Sequence, residues 1–217
     1  DAAESGGTAS DDRRFFHAPD IVHSYDEFGD FDGVLIQSGN REDPNERLVE
    51  NALFYIKDRQ IATGSATVRA ENTVRNPAGR VHYTDLLDQT TCILGSEEAG
   101  TGEDGDSLAC GDRGLSRGCK LRFADPGEKG LSTPLTDGGR VFASTFIPGD
   151  ATPCSGRQGR GLMHVVRLAN ATAVANQQRQ YEIGPDIPSA AESLGDVIFV
   201  PGGGLDLYDL DGDGVRD

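Results

Sequence analysis

Short apolar or alternating runs separated by Gly-, Asp- and Ser-rich turns set the rhythm of this chain. Residues 51–58 (NALFYIKD) place Leu53, Tyr55 and Lys57 on one face and Ala52, Phe54 and Ile56 on the other, the period of a half-buried strand. A strand is also expected at 20–24, followed by a Gly/Asp turn at 29–33 and an apolar core strand at 34–36. Strand signals then crowd together at 120–123, 131–135, 140–147 and 161–168, and a last one falls at 197–200. Asp137-Gly138-Gly139 is a strong hairpin signal. The four antiparallel strands between 120 and 168 read as one propeller blade. One helical turn, capped by Thr84, is expected at 85–88. Residues 1–12 are small and polar and read as a flexible segment, leaving 13–217 as the folded part.

Composition supports an all-β reading. Apolar residues make up 36% and glycine contributes 29 of 217 positions, which suits many short strands joined by tight turns and argues against helix bundles. The formal net charge of −16 repels nucleic acid and anionic lipid, so neither is an expected partner, and divalent cations are favoured instead. No run of 18 apolar residues is present, so no membrane span is expected. The opening Asp-Ala-Ala-Glu, without Met or an apolar leader, looks like a processed or trimmed start.

The most specific chemistry is the acidic stretch 209–217 (DLDGDGVRD). Asp209, Asp211, Asp213 and Asp217 occupy loop positions 1, 3, 5 and 9, with Gly214 at position 6. A hard cation such as Ca²⁺ wants six to eight oxygens in one shell, and alternate positions of a tightly wound loop converge on such a point. The EF-hand Glu at position 12 is missing, which argues for a shorter calcium loop between strands. The competing reading is an acidic tail that attracts cations weakly. A second cluster, Asp26, Asp30 and Asp32, has a spacing that matches no standard loop, and the alternative there is a solvated turn protecting an edge strand.

The cysteines, Cys92, Cys110, Cys119 and Cys154, form no C-x-x-C pair and lie in loops where disulfides staple secreted proteins. Of the three pairings, Cys92–Cys110 with Cys119–Cys154 is favoured. Cys92–Cys110 would tether the long Gly/Asp/Glu-rich loop at 95–118, whose acidic residues read as solubilising. Catalytic patterns are thin. Ser155 lacks the G-x-S-x-G elbow, and Cys154 reads as a disulfide cysteine rather than a nucleophile served by His164. GEKGLST at 127–133 fails the spacing of a phosphate-binding loop, and GRQGRG at 156–161 is no dinucleotide fingerprint. His164, inside a strand pattern, reads as a satisfied sheet residue. Asn170-Ala171-Thr172 fits a glycosylation sequon that arises often by chance.

Several of these segments taken in order resemble one family. They are HAPDIVHS (17–24), DGVLIQSGNREDP (32–44), NALFYIKDR (51–59), DLLDQT (85–90) and GEKGLSTPLTDGGRVFASTFIPG (127–149), followed by a Cys and a GLMHVVRL strand. Together they resemble the C-terminal β-propeller region of the PilY family of type IV pilus tip-associated adhesins and biogenesis factors. The resemblance implies a partial β-propeller of antiparallel four-stranded blades with long Gly/Asp-rich loops. It further implies a secreted, cell-surface pilus component, exported through the periplasm, that is not an enzyme. Its expected partners are minor pilins or other pilus-tip subunits, or the rest of its own propeller, and a host or surface receptor. A calcium loop of the Asp-x-Asp-x-Asp type is associated with control of pilus extension and retraction in that family, and Asp209, Asp211, Asp213 and Asp217 match it by spacing. No Asp-x-Ser-x-Ser motif of a von Willebrand-type domain is present, and strands normally follow the loop in relatives. Two other readings compete: a calcium-stabilised structural segment of an extracellular filament, and a secreted propeller dehydrogenase. The absence of Trp and the four scattered histidines weigh against the dehydrogenase.

Overall fold

The strand β3 (Ala52–Asp58) organises one half of the molecule, because it has a neighbour on either edge and cover on both faces. A computed structural model describes residues 11–26, 28–59, 81–92, 117–149, 159–174, 178–194 and 197–200. Before β3 come β1 (Asp20–Asp26) and β2 (Gly29–Gln37). After it come a 3₁₀ turn (Tyr83–Asp85), β4 (Leu87–Asp88) and β5 (Gly118–Arg122). These strands make a sheet in the order β1-β2-β3-β5-β4, antiparallel except for the short β4–β5 pairing.

A second five-stranded sheet is built from β6 (Lys129–Gly130), β7 (Leu135–Asp137), β8 (Arg140–Ile147), β9 (Arg160–Arg167) and β10 (Gln180–Gly184). Both β6 and β7 pair with the same edge of β8, at its two ends, so they act as one interrupted strand. Pro134 falls in the interruption, where its missing N–H breaks no ladder bond. Beyond this sheet lies the hairpin of β11 (Glu192–Leu194) and β12 (Val197–Phe199). The described residues are thus all-β with mainly antiparallel pairing, and they form neither a closed barrel nor a ring of blades.

The two large sheets stack face to face. Period-2 alternation sends Phe31 and Leu35 of β2, Leu53 and Tyr55 of β3, and Cys119 and Leu121 of β5 toward Val141 and Ala143 of β8 and Val166 of β9. The opposite face of the second sheet, Phe142, Met163 and Val165, buries against Ile183, Ala191, Ile198 and Val200. The opposite face of the first sheet, Ala52 and Phe54, buries against Leu86, with Val81 and Tyr83 packed beside it. Phe54 also meets the rings of Phe15 at 5.8 Å and Tyr83 at 6.1 Å. At about 25 cal/mol per Å² of apolar surface, a phenylalanine buried on this scale contributes about 2–3 kcal/mol.

Several expectations need correction. β3 is covered on both faces rather than half-buried, because the 81–86 segment folds over its outer side. Residues 29–33 continue β2 in register with 22–26. The reversal comes earlier, where Asp26 Oδ1 accepts the Phe28 N–H at 2.9 Å and Gly29 takes φ +104°. The strand expected at 131–135 resolves into β6 and β7 on either side of the interruption. The blade assigned to 120–168 is cut differently: β5 belongs to the first sheet through pairing with β3, and β10 completes the second. The helical turn lies at 83–85, with Asp85 Oδ2 accepting the His82 N–H at 3.0 Å, and Thr84 does not cap it.

The hairpin signal at Asp137-Gly138-Gly139 holds. Asp137 pairs with Arg140, and Gly138 and Gly139 adopt φ +52° and +75°, as a two-residue turn matching the strand twist requires. Of the two expected cysteine bridges, Cys119–Cys154 does not form. Cys119 is a free, fully buried thiol in the inter-sheet core, whereas Cys92 is disulfide-bonded. Strand alternation turns Cys119 inward beside Tyr55 and away from the loops, so the Cys119–Cys154 bridge is excluded. Cys110, Cys154 and most of the loop at 95–118 lie outside the described residues, as do residues 1–10.

Candidate functional site

The inner faces of the two sheets change character along the strands. Inward positions of β8 run Val141, Ala143, Thr145, and those of β9 run Val166, His164, Leu162 in matching register. The apolar middle therefore gives way to a polar end. Here the chain turns into β6 and inserts Glu128, whose side chain is fully buried. Glu128 Oε1 accepts hydrogen bonds from His164 Nε2 at 2.6 Å and Thr145 Oγ1 at 2.7 Å. Burial alone would raise the Glu128 carboxyl, but the bonds from His164 and Thr145 and the charge available on His164 hold it below its ordinary value. Phe123 lies against the imidazole, ring centres 5.1 Å apart. His164 is thus a hydrogen-bonded sheet residue at Nε2, while its buried Nδ1 and Glu128 Oε2 have no hydrogen-bond partner among the described residues.

A belt of polar contacts fixes this end from the first sheet. Gln37 Nε2 donates to the carbonyls of Ser132 at 2.7 Å and Ser144 at 3.0 Å. Asn51 Nδ2 donates to the Glu128 carbonyl at 3.1 Å. Gly39 and Gly130 let two backbones touch: a Cβ on Gly39 would lie 2.2 Å from the Gly130 carbonyl oxygen. The Lys129 ammonium, fully buried, donates to the Asp43 and Glu46 carbonyls and holds the 40–50 loop in place. GEKGLST is therefore a structural insertion whose charges point into the fold.

Beside His164 the two sheets part to leave a cavity of about 280 Å³. Its polar lining is Thr90, Arg122, His164, Gln178, Arg179 and Gln180, and among the described residues no carboxylate lines it. Arg122 forms ion pairs with Asp88 at 2.8 Å and Glu50 at 2.9 Å. Arg179 spans the sheets, donating to the carbonyls of Gln89 at 2.8 Å, Cys92 at 3.2 Å and Ala171 at 3.3 Å, and to that of Thr90. Burial lowers the pKa of its guanidinium.

The residues singled out as metal ligands from sequence, Asp209, Asp211, Asp213 and Asp217, lie outside the described residues. The second acidic cluster is not a cation site in this geometry. Asp26 Oδ2 binds Lys57 Nζ at 3.0 Å and Arg59 Nη2 at 2.5 Å, while Asp32 faces His23 Nδ1 at 3.0 Å. Among the described residues no group of three His, Cys, Asp or Glu side chains is placed to hold a metal. The sequon is a tight turn: Asn170 Oδ1 accepts from Thr172 Oγ1 at 2.7 Å, Thr172 is fully buried, and Ala171 takes φ +59°. Sequence reasoning missed Glu128 and Arg179. Glu128 could have been flagged by its place between strands that are otherwise apolar, whereas 178–180 carry no signal beyond polarity.

No helix among the described residues is long and apolar enough to cross a membrane. Comparison of the chain with protein-family models, with curated proteins and with solved structures gives no match.

Proposed function

We propose that this chain is part of a PilY-like β-propeller, a non-enzymatic adhesion and assembly module of a type IV pilus at the cell surface, with a calcium-binding loop at Asp209–Asp217. The observation that carries the reading is a pair of consecutive antiparallel meanders, β1-β2-β3-β5 and β6/β7-β8-β9-β10, stacked face to face. Consecutive four-stranded meanders that bury their faces against each other are what neighbouring propeller blades look like. The hairpin β11–β12, packed on the far side of the second meander, then corresponds to the opening of a third blade. Exposed Ile21 and Tyr25 on the edge strand β1, and Leu194 and Phe199 on the last hairpin, support a covering partner. In this reading the partner is the rest of the same propeller or a pilus-tip subunit such as a minor pilin.

The donor set at 209–217 fits a hard cation, with carboxylates at alternate positions and no soft ligand. Bound Ca²⁺ would supply charge compensation, and the four aspartates would otherwise repel one another. Titration calorimetry tests this part: the parent chain binds Ca²⁺, and Asp211→Ala with Asp213→Ala abolishes binding. Equal affinity in the two chains rejects the loop. The β1 edge, unpaired among the described residues, favours a second reading, a calcium-stabilised filament segment that assembles by strand addition. Filaments in negative-stain images that vanish with chelator would select it.

A further inference from the structure

We propose that the cavity between the ends of β5 and β10 binds a small carboxylate-bearing molecule. The proposal stands on this cavity alone and does not depend on the pilus reading. The chain as a whole carries a net charge of −16, yet the described lining of this cavity holds two arginines, two glutamines, a threonine and a histidine and, among the described residues, not one acidic side chain. The two guanidiniums differ. Arg122 carries two carboxylate partners, Asp88 and Glu50, so it supplies no net positive charge, although its Nη2 has no hydrogen-bond partner among the described residues. Arg179 meets only carbonyl oxygens and has no carboxylate partner among the described residues. One positive charge without a carboxylate partner suits a monoanion such as a carboxylate better than a dianion.

Size and polarity narrow the ligand further. A volume of about 280 Å³ lies at the lower end of small-molecule sites, enough for a single sugar ring or a short aliphatic acid. Gln178, Gln180 and Thr90 offer amide and hydroxyl groups for hydroxyls on such a molecule, and Leu121 and Ala124 provide an apolar wall. His164 also lines the cavity, its Nε2 lying 3.4 Å from Gln180 Nε2 and bonded to Glu128. Sugar acids and aliphatic acids share the carboxylate, and experiment separates them.

The test is a heteronuclear NMR titration of the full chain with D-glucuronate, D-glucose and propionate. Binding moves the amide resonances of Thr90, Arg122, Gln178 and Gln180 with glucuronate, and glucose leaves them in place. Propionate moving the same resonances assigns the site to carboxylates in general, and glucuronate acting alone assigns it to sugar acids. Gln178→Glu adds a negative charge at an exposed rim position and should weaken glucuronate binding at least about tenfold, with the thermal unfolding midpoint unchanged. The proposal is overturned if none of the three compounds moves these resonances. It is equally overturned if glucose binds as well as glucuronate, or if Gln178→Glu binds glucuronate undiminished. The three-compound comparison on the unaltered chain decides even where a variant fails to fold.

Discussion

The middle and the polar end of the inter-sheet space are made by the same strands, two residues apart, and they hold the sheets together by different physics. In the middle, Leu35, Tyr55, Cys119, Val141 and Val166 exclude water without asking for a particular partner. At the polar end, Glu128 accepts from His164 and Thr145 while Gln37 donates to the Ser132 and Ser144 carbonyls, a set of bonds that forms in only one register of β6 against β8. The apolar part supplies most of the affinity between the sheets. The polar part selects which of several similar strand alignments is adopted, because a slip of one residue would leave a buried carboxylate unpaired.

The largest effect should come from the middle. Leu35→Ala leaves a cavity between two well-packed sheets and should cost about 3–5 kcal/mol in chemical denaturation. Glu128→Ala removes one partner of a buried pair and should cost about 3 kcal/mol, with Glu128→Gln retaining part of that by keeping an acceptor for Thr145. If Glu128→Leu proved more stable than the parent, the polar end would be dispensable for stability and its role would be register alone.

The same comparison predicts a pH signature. The Glu128 carboxyl titrates lower folded than its ordinary 4.5, so the unfolded chain binds more protons between the two values. Its contribution is complete above the ordinary carboxylate value and is lost as pH falls through the depressed folded value. Asp26 and Asp88 are shifted the same way. For Asp26, burial opposes the shift, and the bonds from Arg59 and Lys57 outweigh it. Stability of the parent should therefore drop on acidification below about pH 5, and Glu128→Gln should flatten the curve, as followed by thermal unfolding across pH. Smallest of all, Gly138→Ala in the β7–β8 turn should cost about 1 kcal/mol, because φ +52° strains any L side chain.

Period-2 patterning and turn chemistry were enough to locate β3, β8, β9 and β12 and the Gly138–Gly139 reversal, since both follow from local backbone geometry. They also placed His164 inside a sheet. What they could not decide was partnership. β5 has a strand pattern whichever sheet it joins, and only its pairing with β3 settles which meander it completes. Lys129 and Glu128 look like a polar loop until tertiary contacts supply carbonyls and an imidazole that make their burial tolerable. The orientation of Cys119 likewise depends on strand register, which spacing between cysteines does not encode. Strand identity was thus determined by residues a few positions apart. The stacking of the sheets, the buried Glu128–His164 pair and the arginine-lined cavity were decided by contacts between residues tens of positions apart, whose strength depends on a desolvation that no local pattern records.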